Sequence, residues 1–130
     1  MIDCVPPAPR YNHGTFTLTT QFGASASITF NGTGVWIYGA KRGNHAPYNT
    51  TLDGRTVFND GYSSVDMFQQ VLFAGDGLDP GTHTVSIADS VVDAEKPYLD
   101  IDSVCLLSWC LLYSRIVIYL VLTRWWIDRL

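Results

Sequence analysis

The chain has 130 residues, a formal net charge of −4 and an apolar fraction of 47%. That length supports one domain with a single core and is too short for a second. The acidic balance, with a pI near 5.0, excludes a nucleic-acid footprint, which needs clustered Lys and Arg on one face; Lys41-Arg42 is only a pair.

Residues 1–14 hold three prolines and Asn12-His13-Gly14, a composition that favours an irregular lead-in. Met1 to Cys4 run directly into Pro6-Pro7 with no basic start and apolar run, so no secretory signal is visible, which leaves a cytosolic protein or a chain without its true beginning as readings. Cys4, Cys105 and Cys110 are odd in number and sit at the two ends; they allow one bridge and no small disulfide framework.

Strands then follow one another. Residues 15–20 (TFTLTT) alternate with period two and place Phe16 and Leu18 on one inward face. Residues 25–30 (SASITF) repeat the pattern with Ala26, Ile28 and Phe30 inward, and Asn31-Gly32-Thr33-Gly34 reads as a turn. Residues 35–40 (VWIYGA) are apolar on both faces, as expected of a central covered strand. After the polar cluster Lys41-Arg42-Gly43-Asn44-His45, residues 48–52 open another strand that ends at the turn former Asp53-Gly54. Residues 55–58, 67–73, 83–87 and 98–102 complete the set, with strand preferred to helix over 67–73 because its neighbours are strands. About eight short strands with turns every ten or so residues predict an all-β antiparallel sandwich over 15–103.

The apolar stretch 104–122 (VCLLSWCLLYSRIVIYLVL) has a different character. As a helix it would reach roughly 28 Å, close to the hydrocarbon core of a bilayer. Arg115 near its middle costs about 3 kcal/mol, which roughly ten Leu, Ile and Val offset. The expected tail is therefore helical, with a membrane span as one reading; an apolar helix or strand packed on the sandwich, or a tail with no evolved structure, are the others. Arg124, Trp125, Trp126 and Arg129 form a short basic and aromatic end over 123–130, and a span would place the sandwich outside the cell.

Little in the sequence declares a reaction. His13, His45 and His83 are far apart without metal-ligand spacing, and no Gly-x-Ser-x-Gly elbow is present. Asp100 and Asp102 share a strand face and are the only loose candidates for a glycosidase pair; such residues more often cap backbone groups. Asp76, Asp79, Asp100 and Asp102 offer hard oxygens for a structural calcium, without a recognisable ligand loop, so no cofactor is expected. Trp36 and Tyr38 share a face of their strand. If that face is open, the rings suit stacking on sugars, with Lys41, Arg42, Asn44 and His45 donating hydrogen bonds from the adjoining loop. If it is covered they are core, the reading favoured for Trp36. Asn31-Gly32-Thr33 and Asn49-Thr50-Thr51 match the N-glycosylation pattern.

Residues 11–103 resemble a family of fungal cell-surface proteins, found widely in mushrooms, through SASITFNGTGVWIYGAKRGNHAPYNTTLDG, DMFQQVLF, GTHTVSI and KPYLDIDSV. The resemblance implies an outer β-sandwich of the jelly-roll, galactose-binding-domain-like kind, often followed by a transmembrane helix, on the outer face of the plasma membrane or secreted. It implies glycan or cell-wall polymer as partner and a non-enzymatic role. A structural or protein-interaction ectodomain and a carbohydrate-active enzyme are the alternatives, and the oligomeric state is open.

Overall fold

The computed structural model describes residues 17–90, 95–108 and 116–121. Among them the chain forms ten strands and no helix: β1 (Thr17–Thr19), β2 (Ser25–Gly32), β3 (Gly34–Lys41), β4 (Pro47–Leu52), β5 (Arg55–Asp60), β6 (Met67–Gly75), β7 (Gly81–Asp89), β8 (Leu99–Ile101), β9 (Ser103–Ser108) and β10 (Ile116–Val121). They build two four-stranded sheets, ordered β10-β9-β3-β6 and β2-β7-β4-β5, and a short β1-β8 pair. All pairings between these strands are antiparallel. The architecture is sandwich-like, as the short alternating strands predict.

The inner faces follow the two-residue period. Phe30 from β2, Val35 and Ile37 from β3, Tyr48 from β4, Leu72 from β6 and Val85 and Ile87 from β7 form one buried core with Leu99, Ile101, Val104 and Leu106, and Ala26 and Ile28 pack against it. β3 lies between β9 and β6, and its second face carries Trp36 and Tyr38 against Cys105. A strand whose two faces are both covered needs apolar residues on each. One bond ties the two sheets directly: the Tyr48 hydroxyl donates to the Leu72 carbonyl at 2.6 Å. Burial, then the negative charge of Asp60, push the Tyr48 pKa up to about 12, so the phenol stays protonated and keeps that bond.

Three sequence expectations are corrected. In β1 the inward residue is Thr19, while Leu18 is 41% exposed; β1 pairs with β8 instead of joining a core-facing sheet. Asn31-Gly32-Thr33-Gly34 is no hairpin. β2 runs to Gly32, β3 starts at Gly34, and the two belong to different sheets, so the chain crosses between layers at Thr33. Asp53-Gly54, by contrast, is a two-residue hairpin with positive φ at both positions, 49° and 84°.

The third correction concerns the helical tail. Ser103–Ser108 is a strand beside β3, and Ile116–Val121 pairs with it antiparallel, so 104–122 is not one continuous helix. Among the described residues no helix is long and apolar enough to cross a membrane. A continuous apolar run fits a buried strand as well as a helix, and periodicity cannot separate them. The alternation appears only in place: Val104 and Leu106 enter the core, while Cys105 faces Trp36 and Tyr38. Residues 1–16, 109–115 and 122–130, with the lead-in, Phe16, His13, Cys4, Cys110, Arg115 and the basic and aromatic end, lie outside the described residues.

Candidate functional site

The connections β3–β4, β5–β6 and β7–β8 meet at one end of the sandwich, and a set of backbone bonds joins them. The Arg42 carbonyl accepts from His45 N and Ser63 N, at 3.2 and 3.1 Å, while Arg42 N donates to the Gly61 carbonyl. Gly61 N donates to Ala46 O, Ala46 N to Tyr98 O, and Tyr98 N to Asn44 O. Gly61 is required for this closeness, because a Cβ there would lie 2.6 Å from the Ala46 carbonyl oxygen.

Beneath the loops sits a buried brace. Asp100 Oδ1 accepts the Ala40 amide at 2.7 Å, and Asp100 Oδ2 accepts from His45 Nε2 at 2.7 Å. Nδ1 of the same ring lies 2.9 Å from Asn44 Oδ1, and the ring stacks on Tyr98 with centroids 6.1 Å apart. His45 is 3% exposed. A buried carboxylate bonded on both oxygens fixes its neighbours in place; here it orients the whole 41–46 loop. Gly39 lets β3 approach β8 closely enough for this, since a Cβ on Gly39 would fall 2.3 Å from the Asp100 carbonyl oxygen.

The brace holds up a surface of rings and charges. Tyr62 is 44% exposed. Lys96 Nζ lies 4.4 Å from the centre of its ring, and Arg42 forms a backbone bridge with Tyr62. The Arg42 guanidinium lies over Phe68 at 5.6 Å, with Nη2 3.2 Å from Asp66 Oδ2. Phe68 is brought there by an irregular stretch of β6, where the register against Gly39–Lys41 shifts and Gln69 takes a left-handed φ of 52°. Lys41, Arg42 and Lys96 cluster at this end, while the remaining described Lys or Arg, Arg55, belongs to the β4–β5 hairpin.

The residues singled out from sequence therefore separate into three groups. Arg42, Lys41 and Asn44 belong to the loop end, all three half-buried. His45 belongs to the brace, and its burial corrects the expectation that it reaches a ligand. Tyr38, 5% exposed, is packed on the outer face of β3 with Cys105 and partly buried Trp36, so the Tyr38 ring has no open face for a sugar. Asn31 projects from edge strand β2 and is exposed, whereas Asn49 is half-buried in β4 between β5 and β7. Tyr62, Asp66, Phe68 and Lys96 were not legible as site residues. The available signal was an aromatic inside the turn-rich Gly61-Tyr62-Ser63-Ser64, but the convergence of three connections is a property of the fold.

The loose acid–base and calcium candidates do not gather. Asp100 and Asp102 are both buried, Asp100 in the brace and Asp102 beside β3, with its amide donating to Tyr38 O. Their burial and the backbone bond to Asp100 remove the glycosidase pair. Among the described residues no group of three or more His, Cys, Asp or Glu is placed to hold a metal ion. At the opposite end His83 Nδ1 donates to Asp53 Oδ2 and its Nε2 to the Asp79 carbonyl, while Asp53 Oδ1 accepts from Thr84 N. The Asp79 carbonyl and then Asp53 raise the His83 pKa. The Thr84 amide and then His83 lower that of Asp53. A ring donating through both nitrogens has no lone pair to act as a base; this pair clamps the β4–β5 turn to the β6–β7 connection. Cys105 is disulfide-bonded.

No family model matches the chain. Over 92 residues, 71% of its length, the chain is 32% identical to an A type blood N-acetyl-alpha-D-galactosamine deacetylase of Flavonifractor plautii. Over 81 residues, 62% of its length, it is 30% identical to an A type blood alpha-D-galactosamine galactosaminidase of the same organism. The chain spans 11% and 8% of these curated relatives. In fold, 67% of the chain matches 26% of a two-domain esterase active on acetylated mannans, with a TM-score of 0.55 and 16% identity. These findings overturn the expectation of a non-enzymatic protein: the curated relatives are carbohydrate-modifying enzymes, and the chain matches a short segment of each.

Proposed function

We propose that this chain is the saccharide-recognising β-sandwich of a carbohydrate-modifying enzyme of the deacetylase or esterase kind, and that the loop end around Tyr62 meets the sugar. The observation that carries this reading is the 32% identity over 92 residues to an enzyme named for an N-acetylated galactosamine. The geometry supports the place. Sugar recognition needs an exposed aromatic face beside donors and acceptors held in fixed positions. Tyr62, Arg42, Asn44, Asp66 and Lys96 supply them, on three connections that cross-bond and rest on a buried carboxylate. The disulfide at Cys105 supports an exported protein, since such bonds persist in oxidising compartments.

The test is a titration of the isotopically labelled full chain with galactose and N-acetylgalactosamine, followed by amide chemical shifts. Shifts concentrated in 42–46, 61–66 and 95–98, and lost in Tyr62→Ala, are expected. Shifts confined to another face, or none up to tens of millimolar sugar, would overturn the reading.

A further inference from the structure

Both matches to the N-glycosylation pattern lie on one face of one sheet. Phe30 of β2, Val85 of β7 and Tyr48 of β4 point into the core, so alternation turns Asn31 of β2 and Asn49 of β4 to the outer side of that sheet. The outward positions of β2, β7, β4 and β5 are Ser, Thr, Asn, Ala, Pro and Phe, with no Lys, Arg or Glu; the one carboxylate, Asp60, stands at the end of the edge strand. The same face carries Phe58, 73% exposed and the most exposed large apolar side chain among the described residues. A lone exposed ring is ordinary, but this one is the register partner of Asn49. The closing pair of the two-residue hairpin, Leu52 with Arg55, is of the hydrogen-bonded kind. Three steps further on, Asn49 and Phe58 form a non-hydrogen-bonded pair, in which facing side chains lie closest.

We propose that Asn49 carries an N-glycan and that its first N-acetylglucosamine packs against the Phe58 ring. N-glycans are added on the secretory route, where disulfides also form, and Cys105 is disulfide-bonded. Asn49 is half-buried, yet by neighbours on an outer face: the residues that enter the core are Tyr48 and Thr50 on either side of it. A sugar linked there extends outward, beside a ring that otherwise stays in water. Covering that ring with the apolar face of a pyranose removes apolar surface from solvent, and a glycan supplies the solubility that an uncharged surface lacks. Asn31 differs in its surroundings. Its register partner is Thr82, so a glycan on Asn31 has no ring opposite it and serves as the comparison.

The full chain, secreted from a yeast host behind a leader, provides the test. Mass spectrometry of the secreted protein is expected to find glycan on Asn49, lost in Asn49→Gln. Trimming with an endoglycosidase that leaves a single N-acetylglucosamine isolates the sugar in question. In the trimmed protein Phe58→Ala should lower the melting temperature by about 3–6 °C. In the Asn49→Gln background the same substitution should change it by less than about 2 °C, because an exposed side chain without a partner is nearly neutral. Asn31→Gln should leave the Phe58 effect intact. An Asn49 that stays unmodified in folded, secreted protein overturns the proposal. So does a Phe58→Ala effect of equal size with and without the Asn49 sugar, or one that disappears in Asn31→Gln.

Discussion

Replacing Gly39 with alanine should unseat the loop end without touching it. The added Cβ would lie 2.3 Å from the Asp100 carbonyl oxygen and 2.6 Å from Leu72 Cδ1. The leucine methyl can swing away. The carbonyl is backbone and falls about 1 Å short of ordinary contact, so β8 must move off β3 by about that distance. Overpacking of this kind costs about 1–3 kcal/mol. The same displacement stretches the two 2.7 Å bonds of Asp100 to Ala40 N and His45 Nε2. Hydrogen bonds to a charged group contribute about 1.5–3 kcal/mol each, so partial loss brings the expected destabilisation to about 3 kcal/mol. Urea unfolding of wild type and Gly39→Ala reads the stability, and the His45 ring and 42–46 amide resonances report the brace. Gly77→Ala is the comparison. It has open space around it but a φ of +66°, and should cost only about 1 kcal/mol. A Gly39→Ala protein with an unchanged urea midpoint and unshifted His45 resonances would refute the view that the loop is set by the approach of β8 to β3.

Two further outcomes follow from the core and the opposite end. Tyr48→Phe removes the inter-sheet bond to Leu72 O while keeping the ring. It should cost about 1–2 kcal/mol in urea unfolding with an unchanged slope, the carbonyl being left without that donor in the core; a neutral variant would count against Tyr48 as a tie between sheets. The His83–Asp53 clamp should give a pH-limited contribution to stability. His83, raised above 6.5, contributes fully below that value and loses its contribution as pH rises through its native pKa. Asp53, lowered below 3.8, contributes above that value and loses it as pH falls through its native pKa. The stability difference between wild type and His83→Gln should therefore be greatest between pH 3.8 and 6.5 and shrink on either side; a difference that is flat from pH 3 to 9 would remove the clamp's charge from the account.

Much of the fold is written locally. Asp53-Gly54 makes its hairpin because both positions need positive φ, and β2 turns Ala26, Ile28 and Phe30 toward the core because alternate side chains share a face. The doubly apolar sequence of β3 announces a central strand, which it is. Expectations failed where the same local signal fits two tertiary outcomes. Asn31-Gly32-Thr33-Gly34 can close a hairpin or pass a chain from one sheet to the other, and only the pairing of β2 with β7 and β3 with β9 decides it. The apolar run after Ser103 suits a helix in lipid or a strand beside β3. Its side chains are satisfied either way, and the open edge of β3 selects the strand.

The candidate site divides along the same line. By itself the sequence determined that a polar, cationic loop containing Arg42 and Asn44 follows a central apolar strand. It could not tell that His45 turns inward to a carboxylate 55 residues away, or that Tyr62 and Lys96 arrive beside Arg42. Those are long-range juxtapositions, fixed by which strands pair and by the closeness that Gly39 and Gly61 permit. Hydrophobic period and turn chemistry act over a few residues and specify elements; the meeting of side chains distant in sequence is decided only when the sheets pack.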